Sequence, residues 1–329
     1  MNKNWGMLGQ EWAVELLRGQ IVRGQVRHAY LFCGPPGVGK RTLALRLAQA
    51  LNCTGSQEPG DPCGECRECR QVAAGSHPDV VLTQADLEGA AIKVEQVREL
   101  RRTLVLKPYQ GRYRVVILPR FKDATDSASN ALLKTLEEAP TQVVLILTAE
   151  HPEQLLPTIT SRCEILRLRS LSFKVLETDL TNRGIASELA RWLAHISGGR
   201  PGSALRLAEE EEWIDNRRKR FDEQWRLNSA SRVEKFAFAD QLSKDKVRMR
   251  QTLLIWISYW RDVLLRSSGS RIPITNIDRQ DEIESLAHIL NLREVRRFLL
   301  RLEKTLDGIE SNVNSRLAAE VLLLDWPVL

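Results

Sequence analysis

The chain has 329 residues and a mass of 37.4 kDa, which predicts two or three domains and a core that needs no disulfide bonds. Its 43% hydrophobic and 27% charged residues are typical of a globular protein and exclude a mainly disordered chain. The longest apolar runs, such as residues 143–147, are far shorter than the roughly 20 residues of a membrane-spanning helix. The first ten residues contain no apolar signal core, so we expect a cytoplasmic protein.

The net charge of +6 hides a strong preference for arginine, which supplies 36 of the 48 basic residues. The forked guanidinium group suits contacts with phosphate and carboxylate groups. The same bias is also typical of solvated helix faces. The composition therefore permits a phosphate-rich partner such as nucleic acid without requiring one.

The first half of the chain alternates short apolar runs with helical patterns. The runs predict strands at residues 28–33, 80–83, 114–118, 143–148 and 164–168. Leucine and valine spacings predict helices at residues 41–51, 94–104 and 127–138, and a short helix at 157–160. Apolar strands separated by helices predict an α/β domain with a parallel sheet that is covered on both faces.

The second half has a different character, because no strand-like run follows about residue 170. Apolar residues at helical spacing predict helices around 253–263, 295–302 and 313–324, with interruptions at 198–202 and 267–270. We therefore predict three domains. They are an α/β domain at 1–170, a small helical lid at 171–207 and an all-helical domain at 208–329.

A phosphate-binding loop is predicted at residues 34–40 (GPPGVGK), between the first strand and a helix. Its glycines let backbone N–H groups surround a phosphate at the start of the helix, and the lysine adds a positive charge. The predicted nucleotide-binding residues are Gly34, Gly37, Val38, Gly39 and Lys40. ATP or ADP are the expected ligands.

The residues that would hold Mg²⁺ beside such a loop are missing. Arg41 stands where a hydroxyl residue normally follows the lysine, and Thr42 is rotated about 100° further round the helix. Strand 114–118 runs into Pro119 and Arg120 where acidic residues are expected, and Asp123 comes only later. The sequence therefore predicts a phosphate cradle that has lost its Mg²⁺ site and does not hydrolyse ATP.

Four of the six cysteines lie within seventeen residues, and in a reducing compartment such a cluster indicates a metal site. The predicted ligands are Cys53, Cys63, Cys66 and Cys69. Four thiolates with two consecutive C-x2-C steps are typical of a closed structural Zn²⁺ site. An iron–sulfur cluster and unliganded thiols are the alternatives. We expect Cys33 to be buried at a strand end and His77 to be a loop residue.

These motifs, in this order, resemble the bacterial clamp-loader subunits of the AAA+ superfamily. The resemblance rests on Leu8-Gly9-Gln10, HAYLF at 28–32, the phosphate loop, the four cysteines, NALLKTLEE at 130–138, Thr148 and Ser161-Arg162-Cys163. It implies an AAA+ core with a zinc-knuckle insertion at 53–69, followed by the helical lid. The C-terminal helices would form an oligomerisation collar, in which Trp256, Trp260 and Trp326 are expected to pack.

The resemblance also implies a function. Subunits of this family load the sliding clamp of DNA polymerase III onto primed DNA, so the implied partners are the delta and tau/gamma subunits, the clamp and primer–template DNA. The arginine of the family's Ser-Arg-Cys motif, Arg162 here, reaches the ATP of a neighbouring subunit as an arginine finger. It is the only catalytic residue that the resemblance implies.

Departures from the family pattern distinguish between its classes of subunit. Arg41 and the pair Pro119-Arg120 replace the Mg²⁺ ligands of the ATP-hydrolysing motor subunits, and Gly202 replaces their lid arginine, with Arg200 two residues earlier. They favour a non-hydrolysing subunit over a motor subunit.

Two further features of the sequence have alternative interpretations. Glu137 and Glu138 precede Pro140 at a helix end and are expected to be packing and surface residues without a chemical role. A nucleic-acid module built on the cysteine cluster and the arginine surface is disfavoured, because the cluster lacks interleaved aromatic residues for base stacking.

Overall fold

The computed structural model describes residues 4–83, 91–311 and 313–327. The chain divides into two compact units. The first consists of Met1–Ser172 with Arg200–Ser203, and the second of Phe173–Gly199 with Ala204–Leu329. The predicted division of the helical half into a lid at 171–207 and a collar at 208–329 stays a prediction.

The first unit is built on a five-stranded parallel sheet with the order β2-β3-β4-β1-β5. The strands are β1 (Ala29–Cys33), β2 (Val80–Leu82), β3 (Arg114–Leu118), β4 (Val143–Ala149) and β5 (Glu164–Arg167). Every residue of β1, β3 and β4 is buried, which is the reason for their continuous apolar sequences. The predicted parallel sheet is confirmed, with each strand within a residue of its predicted position.

Helices cover both faces of this sheet. They are α1 (Glu11–Val22), α2 (Lys40–Asn52), α3 (Arg67–Ala73), α4 (Val94–Leu104), α5 (Asp126–Glu137) and α6 (Pro157–Thr160). One core joins α1 and α2 to one face of the sheet, and a second core joins α4 and α5 to the other. Helices α1 and α3 were not predicted from the sequence. Helix α3 has only seven residues and lies among the cysteines, where apolar periodicity is weak.

The second unit is helical, and within the described residues no strand follows β5. Its helices are α7 (Phe173–Asn182), α8 (Ser187–Ile196), α10 (Glu211–Leu227), α11 (Arg232–Ser243), α12 (Lys246–Ser267), α13 (Gln280–Ile289), α14 (Leu292–Glu310) and α15 (Ser315–Leu324). Helix α9 (Pro201–Glu209) begins in the first unit and ends in the second.

Tryptophans form the centre of the second unit. Trp256, Trp260 and Trp326 are at most 2% exposed, and the rings of Trp256 and Trp326 meet edge-to-face at 5.1 Å between centroids. The expectation that these residues pack in the helical core is confirmed. Among the described helices, none combines the length and the apolar character that crossing a membrane requires.

Candidate functional sites

The predicted phosphate loop joins the end of β1 at Cys33 to the start of α2 at Lys40. Gly34 and Gly37 have φ values of +144° and +80°, in the region that side chains disfavour. A Cβ atom on Gly34 would lie 2.4 Å from the carbonyl oxygen of Leu168. The structure therefore brings the five predicted nucleotide-binding residues into one glycine-dependent turn at a helix N-terminus.

The Lys40 ammonium group lies inside this loop. Its Nζ donates hydrogen bonds to the carbonyl oxygens of Gly34 and Pro35, the second at 3.1 Å. Burial lowers the pKa of Lys40, and the nearby carboxylate of Glu150 opposes that effect. Main-chain carbonyl groups of the loop thus accept the hydrogen bonds of its own lysine.

A short segment of the same unit, residues 200–203, packs directly on the loop. The backbone N–H of Gly202 donates to the carbonyl oxygen of Gly37 at 2.8 Å. A Cβ atom on Gly37 would lie 2.0 Å from Ser203 Oγ, and one on Gly202 would lie 3.0 Å from the Gly37 oxygen. Gly202 departs from the pattern of the motor subunits, but the sequence did not predict this contact.

The end of β3 presents cations rather than acids. Arg120 has a left-handed φ of +48°, and its backbone N–H donates to Thr148 Oγ1 at 2.9 Å. Its guanidinium group pairs with Asp123 at 3.3 Å, so the first carboxylate after β3 faces a positive charge. Arg41 and Thr42 are exposed on α2.

A further ion pair beside the loop was missed from the sequence. Lys122 Nζ lies 2.9 Å from Glu150 Oε1, and the backbone oxygen of Glu150 accepts a hydrogen bond from the N–H of Gly34 at 2.9 Å. Burial raises the pKa of Glu150, but the hydrogen bond and charge of Lys122 and the charge of Lys40 outweigh it, so the pKa is lowered. Glu150 directly follows β4, which was the signal available in the sequence.

The four clustered cysteines converge on one point between α2 and α3. All four Sγ atoms lie within 4.8 Å of one another, with Cys53 to Cys66 at 3.9 Å and Cys63 to Cys69 at 4.0 Å. A tetrahedral site with Zn–S bonds of about 2.3 Å requires sulfur–sulfur distances of about 3.8 Å. The arrangement therefore fits a four-thiolate metal ion.

Backbone N–H groups donate hydrogen bonds to sulfur atoms of the cluster, whereas burial raises the pKa of Cys53 and Cys69. N–H groups of Cys63, Cys66 and Cys69 point at Sγ atoms of the preceding cysteines, at 3.2–3.4 Å. Burial raises the pKa of Cys66, but the backbone N–H groups of Cys69 and Thr54 outweigh it and lower that pKa to about 6. His77 lies outside the cluster and is buried, and Cys33 is buried at the end of β1, as expected.

Arg162 lies at the corner where the short turn after α6 leads into β5. Its Nη1 donates to the carbonyl oxygen of Thr158 at 2.9 Å, and its Nη2 lies 2.6 Å from Glu137 Oε1. The Arg162 side chain is 36% exposed. The structure therefore presents this guanidinium group at the surface and holds it from two sides.

Comparisons with known proteins identify the family. A model described as "DNA polymerase III, delta subunit" matches residues 9–172, and one described as "DNA polymerase III, delta subunit, C terminal" matches residues 211–327. DNA polymerase III subunit delta' of Bacillus subtilis is 29% identical over 318 residues, covering 96% of this chain and 95% of the relative. The Yersinia pestis subunit delta' is 34% identical over 281 residues, covering 83% and 80%.

The chain belongs to the family of DNA polymerase III delta' subunits. The resemblance inferred from the sequence motifs is thereby confirmed. A more partial likeness extends to subunit tau of Escherichia coli, which is 35% identical over 211 residues. That match covers 62% of this chain and 32% of tau, so it leaves most of tau without a counterpart here.

Proposed function

We propose that this delta' family member is a non-hydrolysing subunit of the DNA polymerase III clamp loader. In this role it assembles with the delta and tau/gamma subunits and helps to load the sliding clamp onto primed DNA during replication. It supplies Arg162 to the ATP site of a neighbouring subunit. The family membership supports assembly with the other subunits. The residues of the first unit support the proposal that this subunit contributes Arg162 but does not hydrolyse ATP itself.

The observation that carries the non-hydrolysing role is the chemistry at the end of β3. A hydrolytic site needs carboxylate oxygens near the phosphate loop to hold Mg²⁺ and to orient water. Here Pro119 and Arg120 occupy that position, and Asp123 is paired with the Arg120 guanidinium at 3.3 Å. Arg41 adds another cation where the first Mg²⁺ ligand would lie. The loop itself keeps the glycines that could cradle a phosphate, so ATP or ADP binding is part of the proposal.

The trans-acting role rests on Arg162. An arginine finger stabilises the negative charge that develops on the γ-phosphate during hydrolysis, and it must reach out of its own subunit to do so. The partly exposed guanidinium group at the α6–β5 corner meets that requirement. A subunit that lacks its own Mg²⁺ ligands yet presents this arginine would complete a neighbour's site without operating its own.

The cysteine cluster would hold Zn²⁺ through Cys53, Cys63, Cys66 and Cys69, with a structural role. Four protein ligands leave no position for a reacting water molecule. The ion would cross-link the end of α2 to α3. Arg112 extends the same connection, because its Nη2 donates to the carbonyl oxygen of Cys53 at 2.8 Å.

An active motor subunit is the second candidate, and the likeness to tau favours it. In that case Mg²⁺ would need a different carboxylate ligand. Asp123 would be the first to consider, since it lies on the turn that follows β3.

The test is Mg²⁺-dependent ATP hydrolysis by the purified chain alone, with Lys40→Ala as the control for contaminating ATPases. We expect no turnover above that of the control. Turnover that Lys40→Ala abolishes would contradict the proposal and support the motor subunit. A nucleotide-binding titration on the same two proteins then shows separately whether the loop holds ATP or ADP.

A further inference from the structure

Glu137 makes a contact that no sequence motif indicates. Its Oε1 lies 2.6 Å from Nη2 of Arg162, although the two residues are 25 positions apart in the chain. Glu137 is the last residue of α5, whereas Arg162 follows α6. The pair therefore links the end of one helix to the corner that carries the proposed arginine finger.

The position of Glu137 is electrostatically unfavourable without a partner. The C-terminal end of a helix carries partial negative charge, which disfavours an acidic side chain there. Glu137, the last residue of α5, and Glu138, which caps it, are both acidic, and Lys134 is the one basic residue in the last turn. The guanidinium group of Arg162 supplies a positive charge directly at Glu137.

The contacts of Arg162 leave part of the guanidinium group available. Of its five N–H donors, the described residues engage three, through the Thr158 carbonyl, Ser161 Oγ and Glu137. Two donors remain for a phosphate on another subunit. Thr158 and Glu137 hold the group on two different nitrogens, so together they fix the plane of the guanidinium group as well as its position.

Stability does not explain the pair. The side chains of Arg162 and Glu137 are 36% and 50% exposed, and ion pairs at that exposure contribute little to folding. A short contact of this kind can still select one rotamer of a long, flexible side chain. A finger that is already oriented loses less conformational freedom when it meets the transition state.

We infer that Glu137 is a positioning residue for Arg162, holding the guanidinium group in the orientation in which it meets the γ-phosphate of a neighbouring subunit. This inference rests on the proposed function, because it presupposes that Arg162 acts in trans. It adds a role for a glutamate to which the sequence pattern assigned none.

The experiment measures ATP turnover of the clamp loader reconstituted with sliding clamp and primed DNA. The variants are Glu137→Gln, Arg162→Ala and the double variant, with Glu138→Gln as the matched control one residue away on the same exposed helix end. We expect Glu137→Gln to lower the rate at the site that Arg162 completes by roughly 3- to 10-fold, a misorientation effect, so total turnover should fall by no more than it does in Arg162→Ala. The KM for ATP and the melting temperature should be unchanged. Glu138→Gln should behave like the parent.

The double variant separates the positioning role of Glu137 from the role of Arg162 as the arginine finger. If Glu137 acts only through Arg162, adding Glu137→Gln to Arg162→Ala causes no further loss. A loss from Arg162→Ala with none from Glu137→Gln would overturn the positioning role and leave the finger intact. An unchanged turnover in Arg162→Ala would remove the proposed function itself. Increased turnover in Glu137→Gln, or an additive loss in the double variant, would likewise overturn the inference.

Discussion

The phosphate loop and the Arg162 corner belong to the same unit but treat their cations differently. At the loop, Lys40 is bound by main-chain carbonyls, Lys122 by Glu150 and Arg120 by Asp123. At the corner, Arg162 is held from two sides and keeps donors for another molecule. Under the proposed function, these two motifs of one chain serve different subunits. The cations of the loop are paired within the chain, and under the proposed function the remaining donors of Arg162 serve a neighbouring subunit.

The largest effect that would test this comparison is expected from Arg162→Ala. Arginine fingers are worth about 10³–10⁵ in rate at the site they complete. ATP turnover of the reconstituted loader should therefore fall by the fraction that this one site contributes. The loss should be larger if hydrolysis at one site must precede hydrolysis at the next. Assembly, measured by gel filtration, should be unchanged. Arg183→Ala, which removes an exposed arginine of the second unit, is the control and should leave turnover as it is. Equal turnover in the two variants would refute the role of Arg162.

The cysteine cluster should show the next largest effect. Replacing Cys66 and Cys69 with serine should release about one Zn²⁺ per chain, as measured by metal analysis, because two of the four ligands are lost. If removal of the metal lowers the free energy of unfolding by about 3 kcal/mol, the melting temperature should fall by roughly 6–12 °C. Cys163→Ser, outside the cluster, should retain the metal. A parent protein without zinc would contradict the assignment of the ion.

A smaller, pH-dependent effect is expected at Asp79, which is fully buried beside β2. Burial raises its pKa, but N–H groups of Gly111, Tyr109 and Gln110 and the guanidinium group of Arg114 outweigh it and lower the pKa from 3.8 to about 2. The folded-state pKa is depressed, so the contribution of about 2 kcal/mol is present above pH 4 and is lost as the pH falls towards 2.

Urea unfolding of the parent and of Asp79→Asn at several pH values measures this effect. The difference in unfolding free energy between the two proteins should be largest near neutral pH and should shrink below pH 4. A difference that stays constant over that range would show that Asp79 carries no such linkage.

The smallest effect should come from Lys40→Ala in the reconstituted loader. If the loop of this subunit binds nucleotide without hydrolysing it, the change should weaken nucleotide binding by the chain while total turnover stays within about two-fold of the parent. Comparison with Arg162→Ala is then direct. A larger loss of turnover from Lys40→Ala than from Arg162→Ala would reverse the roles assigned to the two regions.

Much of this molecule was predictable from local sequence. The fully buried strands β1, β3 and β4 are continuous apolar runs, and the glycines within residues 34–39 predict the turn that they form. The cysteine spacing predicted a cluster that the sulfur distances fit. Helix α1 was missed although its buried Ala13, Val14 and Leu17 have helical spacing.

The contacts that set the chemistry were harder to foresee. The pairing of Arg120 with Asp123 depends on a left-handed arginine, a conformation that sequence statistics disfavour. The Gly202–Gly37 hydrogen bond joins residues 165 positions apart, and nothing in either glycine indicates the other.

The sequence by itself determined the parallel α/β core, the helical second half, the phosphate loop and the cysteine cluster, because each depends on residues close together in the chain. Only the tertiary structure decided which charged groups meet. Glu137 and Arg162 lie at the ends of separate elements, and their contact follows from how α5, α6 and β5 pack on one sheet. Periodicity and spacing describe one element at a time, so they do not indicate which side chains of separate elements come into contact.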